Sequence, residues 1–310
     1  MAKKKRRRAS PRRGRKQPVH VTLGGLIVIA LIAFLLARFG GSGNTPSGTN
    51  AQSTSTPTSQ VTGSSAAAST GQAAGTSSSA ASSAAVGDSN WQATYAALAK
   101  LTFQSGNPAA INVNGGKSTL TMSSWRSNHI DYGNLDSLNR TTTVTAYLQR
   151  SNLGKSAGRP AQKWQPTGWH QEYRVIDGDR IPVVNRGHLI AYTMTFNLNS
   201  DGVPQAGAEG SSDNPKNLAT QTEYSNQKTM QIYEEAVRDA LERGARVIYQ
   251  VTTVFRGSEL MPRGYWSQAV SSDRQLNFNV YIWNVEPQLQ FDYATGRNTI
   301  DRSMSVTAVR

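Results

Sequence analysis

Cysteine is absent from all 310 residues. Disulfides and thiolate-held metals are therefore excluded, although the absence does not decide the compartment. Histidine is scarce, with only His20, His129, His170 and His188. Any metal is then a hard ion held by oxygen, or one held by these few rings. A general excess of positive charge is also missing, despite a formal net charge of +14. The first 38 residues hold 11 of the 33 Lys and Arg and no acidic residue, so the rest of the chain carries only +3. The high isoelectric point describes the tail. Nucleic-acid recognition would have to rest on particular residues, not on net charge.

Only one long apolar run is present. Val21–Ala37 contains 17 residues without charge, and its flanks extend it to 19–39. This length suits a transmembrane signal-anchor, with a cleavable signal peptide as the alternative. The basic tail, residues 1–18, precedes the span, which keeps the tail cytoplasmic and places everything after it outside. Residues 40–88 are mostly Ser, Thr, Gly and Ala, with no Lys or Arg. Such a segment buries too little apolar area to offset its ordering entropy and reads as a disordered linker. No internal repeat is visible.

From Trp91 onward aromatics, charges and alternating apolar residues continue to the end. Residues 89–310 are expected to form one domain, long enough to bury a proper core. A short helix is expected over 93–102 and strands over Thr141–Leu148, Leu189–Phe196, Arg246–Phe255 and Phe278–Val285. The apolar runs Tyr173–Ile176 and Ile181–Val184 flank an Asp-Gly turn and predict a hairpin. Residues 197–216 read as a long loop of the kind that often carries function. Glu223–Arg243 has apolar residues at three- and four-residue steps, stops at Gly244, and is the clearest helix. The fold class is α+β, with mostly antiparallel pairing and flanking helices.

Taken singly, each chemistry-bearing residue has a plain structural role. His188 would be a satisfied strand histidine, Asn226 a residue near a helix start, and Glu234 with Arg238 an exposed i,i+4 pair. Arg186 changes the reading of His188. Two residues away on an extended chain, it points to the same side, and an Arg beside a His suits an anion between them. At 100° per residue, Asn226 and Glu234 would lie about 80° apart and two turns along, too far around for both to bind one ion directly.

Arg186-Gly187-His188-Leu189-Ile190-Ala191, followed by Asn217, Asn226-Gln227, Glu234 and Arg238, resembles the DNA/RNA non-specific endonuclease family. The spacing is the specific part. Tyr132–Leu138 and Pro166–Trp169 also resemble segments of the secreted and competence-type nucleases of that family. The likeness spans about residues 120–255. One position departs: the family motif usually begins with Asp, and Asn185 stands here.

The resemblance implies a ββα-metal nuclease fold, with His188 from the ββ unit and Asn226 from the helix. It implies Asn226 as direct ligand of Mg²⁺, with Mn²⁺ as the other candidate ion, and His188 as general base. Glu234 would orient the ion's waters, Arg186 and Arg238 would bind phosphate, and Asn217 would position the phosphate or the site itself. DNA and RNA would be cut with little sequence preference, leaving 5′-phosphate ends. Expected partners are nucleic acid, the membrane through one N-terminal helix, and a DNA-uptake machinery. The nuclease domain would be extracellular. A surface DNA-binding protein that has lost catalysis is the competing reading, supported by Asn185 alone. A toxin released after signal cleavage is a third. His129 and His170 are expected to be structural. Lys163, Arg174 and Arg180 are candidates for a phosphate path.

Overall fold

The computed structural model describes residues 88–309. The basic tail (1–18), the span (19–39) and the linker (40–88, apart from its last residue) lie outside the described residues. Among those described, no helix is long and apolar enough to cross a membrane.

The first helix, α1 (Asp88–Lys100), begins earlier than its composition suggested. Six strands form the central sheet: β1 (Ala110–Asn112), β2 (His129–Tyr132), β3 (Thr143–Leu148), β8 (Val247–Val254), β9 (Gly264–Ser271) and β10 (Asn277–Trp283). Their order is β1-β10-β9-β8-β3-β2, antiparallel at every pairing. The hairpin β4 (Tyr173–Ile176) and β5 (Asp179–Pro182) turns on Asp177-Gly178. Both turn residues have positive φ, which suits the right-handed twist of a two-residue hairpin. Beyond it run β6 (Val184–His188) and β7 (Leu218–Thr222), and near the end β11 (Leu289–Asp292) and β12 (Arg297–Ile300).

Both faces of the central sheet are covered. The helix α2 (Gln231–Glu242) buries Val237, Ala240 and Leu241 against Tyr249, Val251, Tyr265 and Ala269. On the other face α1 sets Trp91, Tyr95 and Leu98 against Trp266, Tyr281 and Trp283. Two-sided burial explains why β9 escaped the sequence reading. All eight of its residues are buried, including Ser267 and Gln268, so no polar-apolar alternation marks it. Gln268 is accommodated because its carbonyl accepts from Thr119 N at 3.0 Å and its amide donates to Gln250 Oε1 at 3.1 Å.

The expected strand over Leu189–Phe196 is not formed. The strand is β6, which ends at His188, and Leu189 and Ile190 are fully buried in an irregular segment that leads into a single helical turn at Tyr192–Met194. Their apolar character reflects burial, not extension.

Candidate active site

β6 and β7 pair antiparallel, with His188 opposite Leu218 and Gly187 opposite Ala219. β7 then passes through Glu223 into a helix, completing a ββα unit. The glycine between Arg186 and His188 has a steric cause. A Cβ there would sit 2.1 Å from Gln221 Oε1, so only glycine lets the Gln221 side chain lie over this strand.

After Glu223 and Tyr224 the helix does not continue as an α-helix. Ser225–Met230 is π-helical, and the α-helix proper begins at Gln231. A π turn absorbs one extra residue, which brings Asn226 and Glu234 to within about 20° of one helix face instead of about 80°. This corrects the sequence-based angle, because the bulge was invisible to periodicity. Asn226 and Glu234 now wall the same cavity of about 290 Å³, together with Arg159, Asn185, Arg186, His188 and Arg238.

His188 is buried at the cavity wall, and its Nε2 lies 3.0 Å from the Ser212 carbonyl. A carbonyl can only accept, so Nε2 carries the proton and Nδ1 keeps the basic lone pair. Burial and the nearby Arg159 push the imidazole down to about 4, against the opposing pull of the Ser212 and Ser211 carbonyls and the Asp213 carboxylate. The ring is therefore neutral across the physiological range.

Arg186 donates from Nε to the Trp164 carbonyl at 2.7 Å and stacks 4.5 Å from the centre of the Trp169 ring. Arg238 does not pair with Glu234 and donates to Thr193 Oγ1 at 2.8 Å. Free of a direct partner, the Glu234 carboxyl is raised by burial to about 7, with Arg238 lowering it and Glu235 raising it further. The side-chain amide of Asn226 makes no hydrogen bond among the described residues, which leaves its oxygen open to the cavity.

Asn217 is not a cavity residue. Fully buried, it donates to the Ile190 carbonyl and accepts from the Ile190 amide, both at 2.9 Å. Its amide is thus committed to the backbone just after His188, which leaves positioning of the site, not contact with phosphate. Lys163, Arg174 and Arg180 are not brought to the cavity either. Arg174 is held by Glu172 and Asn298, and Arg180 lies over the Tyr173 ring. His129 stacks on Tyr147 at 4.2 Å with Asp131 at 3.6 Å, and His170 stands outside the cavity.

Two groups escaped the sequence reading. Arg159 lies in a segment of weak pattern and reaches the cavity only because the loop that carries it folds over β6. Glu223 accepts a hydrogen bond from the Asn185 amide, so the carboxylate usual at the first position of the motif has a counterpart one strand away.

Residues 118–272 match the family described as DNA/RNA non-specific endonuclease. That span includes every cavity-lining residue. Among solved structures, NucA from Streptococcus agalactiae with no metal bound is similar at 31% sequence identity and a TM-score of 0.54. The match covers 61% of this chain and 86% of that one. The magnesium-bound form of the same nuclease gives the same identity, coverage and TM-score.

Proposed function

The chain belongs to the DNA/RNA non-specific endonuclease family, and from that premise we propose that this cavity hydrolyses phosphodiester bonds of DNA and RNA with the help of a divalent cation. The observation that carries the reading is the meeting of His188, with Nδ1 basic, and the unpartnered Asn226 amide in one arginine-rimmed cavity.

The donor set fits a hard ion. Among the described residues no three His, Cys, Asp or Glu side chains cluster as a metal cage. One amide oxygen from Asn226, with Glu234 reached through water, suits Mg²⁺, which keeps most of its waters and takes few protein ligands. Mn²⁺ has the same preference for oxygen. The magnesium found in the similar NucA supports this choice of ion. When bound, such an ion offsets charge on the phosphate and on the leaving 3′ oxygen.

The chain's own residues do the rest. His188 Nδ1 accepts the proton of the attacking water, while Nε2–H stays anchored on Ser212 and fixes the ring. Arg186, Arg238 and Arg159 offer guanidinium donors to the non-bridging oxygens, whose charge grows in the transition state. Departure of the 3′ oxygen leaves a 5′-phosphate. The site as described rests on phosphate chemistry, which accounts for weak sequence preference. A non-catalytic DNA-binding role is the weaker reading, because Asn185 donates to the Glu223 carboxylate and His188 and Asn226 line one cavity.

We further propose that residues 19–39 anchor the enzyme with its nuclease domain outside the cell, so that products form near the surface and can feed a DNA-uptake machinery. Secretion after signal cleavage is the alternative. Sequencing the N-terminus of the extracellular protein decides: a mature start near residue 40 removes the anchor.

The activity is tested on supercoiled plasmid in Mg²⁺. The parent should nick rapidly and stop with EDTA, whereas His188→Ala should lose at least ~100-fold in kcat while still binding DNA. A parent that binds without cutting overturns the proposal.

A further inference from the structure

The loop carrying Arg159 is fastened to the site from below by two consecutive residues. Ser212 is buried and does not line the cavity, so it touches no substrate. Its carbonyl accepts from His188 Nε2 at 3.0 Å, and its hydroxyl donates to the Pro160 carbonyl at 2.7 Å. One serine therefore grips both the base and the residue that follows Arg159. The next residue, Asp213, accepts from Trp164 N at 2.9 Å, and the Trp164 carbonyl in turn accepts from Arg186 Nε at 2.7 Å. Between these tethers, Gln162 donates to the Arg186 carbonyl at 3.2 Å. The preceding residue, Ser211, donates from its amide to Thr195 Oγ1 at 2.8 Å, which ties the segment to the turn bearing Tyr192. Arg159 lies over that Tyr192 ring at 5.9 Å.

We infer that Ser212 is a positioning residue, which clasps the 159–164 loop to the general base so that Arg159 is held over the cavity as a phosphate grip. Proline limits the backbone of the residue before it, so fixing Pro160 sets the direction in which Arg159 leaves the chain. The Ser212 hydroxyl acts on nucleic acid through Arg159, while its carbonyl, which Ser212→Ala retains, holds His188, and Asp213 is the loop's second tether. The inference rests on the reading of the cavity as a phosphate site.

The test is a double-mutant cycle on the full chain. Dissociation constants for a fluorescent DNA duplex are measured in EDTA, and KM and kcat for plasmid in Mg²⁺. Arg159→Ala is expected to weaken binding about tenfold, the loss of one charge-assisted contact. Ser212→Ala is expected to weaken it by a similar factor and to raise KM more than it lowers kcat. Adding Arg159→Ala to Ser212→Ala should then cost less than about twofold more, because the grip is already released. Losses that multiply, or a Ser212→Ala variant that loses kcat with KM and Kd unchanged, would overturn the clasp. If Ser212→Ala does not fold, Asp213→Ala must show the same coupling to Arg159, and Asp213→Asn, which keeps the acceptor, must restore binding to within about twofold. A parent that binds DNA but cuts none defeats the nuclease reading alone, since the cycle in EDTA still reports the clasp.

Discussion

At the scale of single residues, His188 and Glu234 are shifted away from their ordinary ranges in opposite senses by one cause, burial beside a narrow cavity. His188 is held near 4, so in metal-free protein its imidazole NMR signals should stay at the neutral position until the pH falls toward about 4. Titration at the ordinary value near 6.5 would mean that burial and Arg159 do not act on it in solution. Because the folded state resists this proton, His188 adds stability that is complete above its unfolded value and lost as the pH falls from 6.5 toward 4. Glu234 runs the other way. With its carboxyl raised to about 7, stability is complete below 4.5 and is lost as the pH rises through 7. Glu234→Gln should therefore stabilise the metal-free protein by about 1–3 kcal/mol at pH 8, with the gain vanishing near pH 4, while nuclease activity falls. Urea unfolding in EDTA at the two pH values checks this, and a destabilised variant at pH 8 would refute it.

At the scale of elements, the π-helical turn Ser225–Met230 sets the site, because it swings Asn226 onto the face that carries Glu234. Deleting Lys228, an exposed residue of that turn, should restore α-helical winding with seven steps between Asn226 and Glu234, which keeps the two within about 20° of one face. The expected outcome is retained helical circular dichroism with activity within about tenfold of the parent, because the ligand and its partner stay aligned. A loss of ~100-fold or more would show that alignment with Glu234 is not what the bulge supplies. The start of this helix is held by Glu286, whose buried carboxyl is raised to about 8 and accepts from Tyr224 N at 2.7 Å. Glu286 lies in the segment between β10 and β11, outside the span that matches the family, so a part of the chain beyond that span braces the start of the helix.

At the scale of the whole molecule, the net positive charge lies mostly in the first 38 residues, which carry +11. Everything after residue 38 carries only +3, yet three arginines border one small cavity. With the first 38 residues removed, DNA affinity should fall with salt at a log–log slope of about −3, one unit per arginine–phosphate contact. A slope near −10 would point to phosphate contacts well beyond these three arginines. In the full chain the tail adds a steeper, sequence-independent component wherever DNA can reach it.

Much of this protein was legible in the residues alone. Strongly periodic or β-branched stretches marked α2, β3, β8 and β10, the Asp-Gly pair marked the β4–β5 turn, and the ladder from Arg186 to Arg238 marked the family and most of the cavity. These features are local, or are spacings that survive without knowledge of packing. Three matters were decided only by tertiary structure. β9 is buried on both faces, so alternation could not reveal it. The π turn changes the winding of a helix whose apolar pattern looks uninterrupted, and with it the geometry of Asn226 and Glu234. Arg159, Ser212 and Glu223 meet the site through hydrogen bonds between segments distant in sequence, which no local propensity encodes.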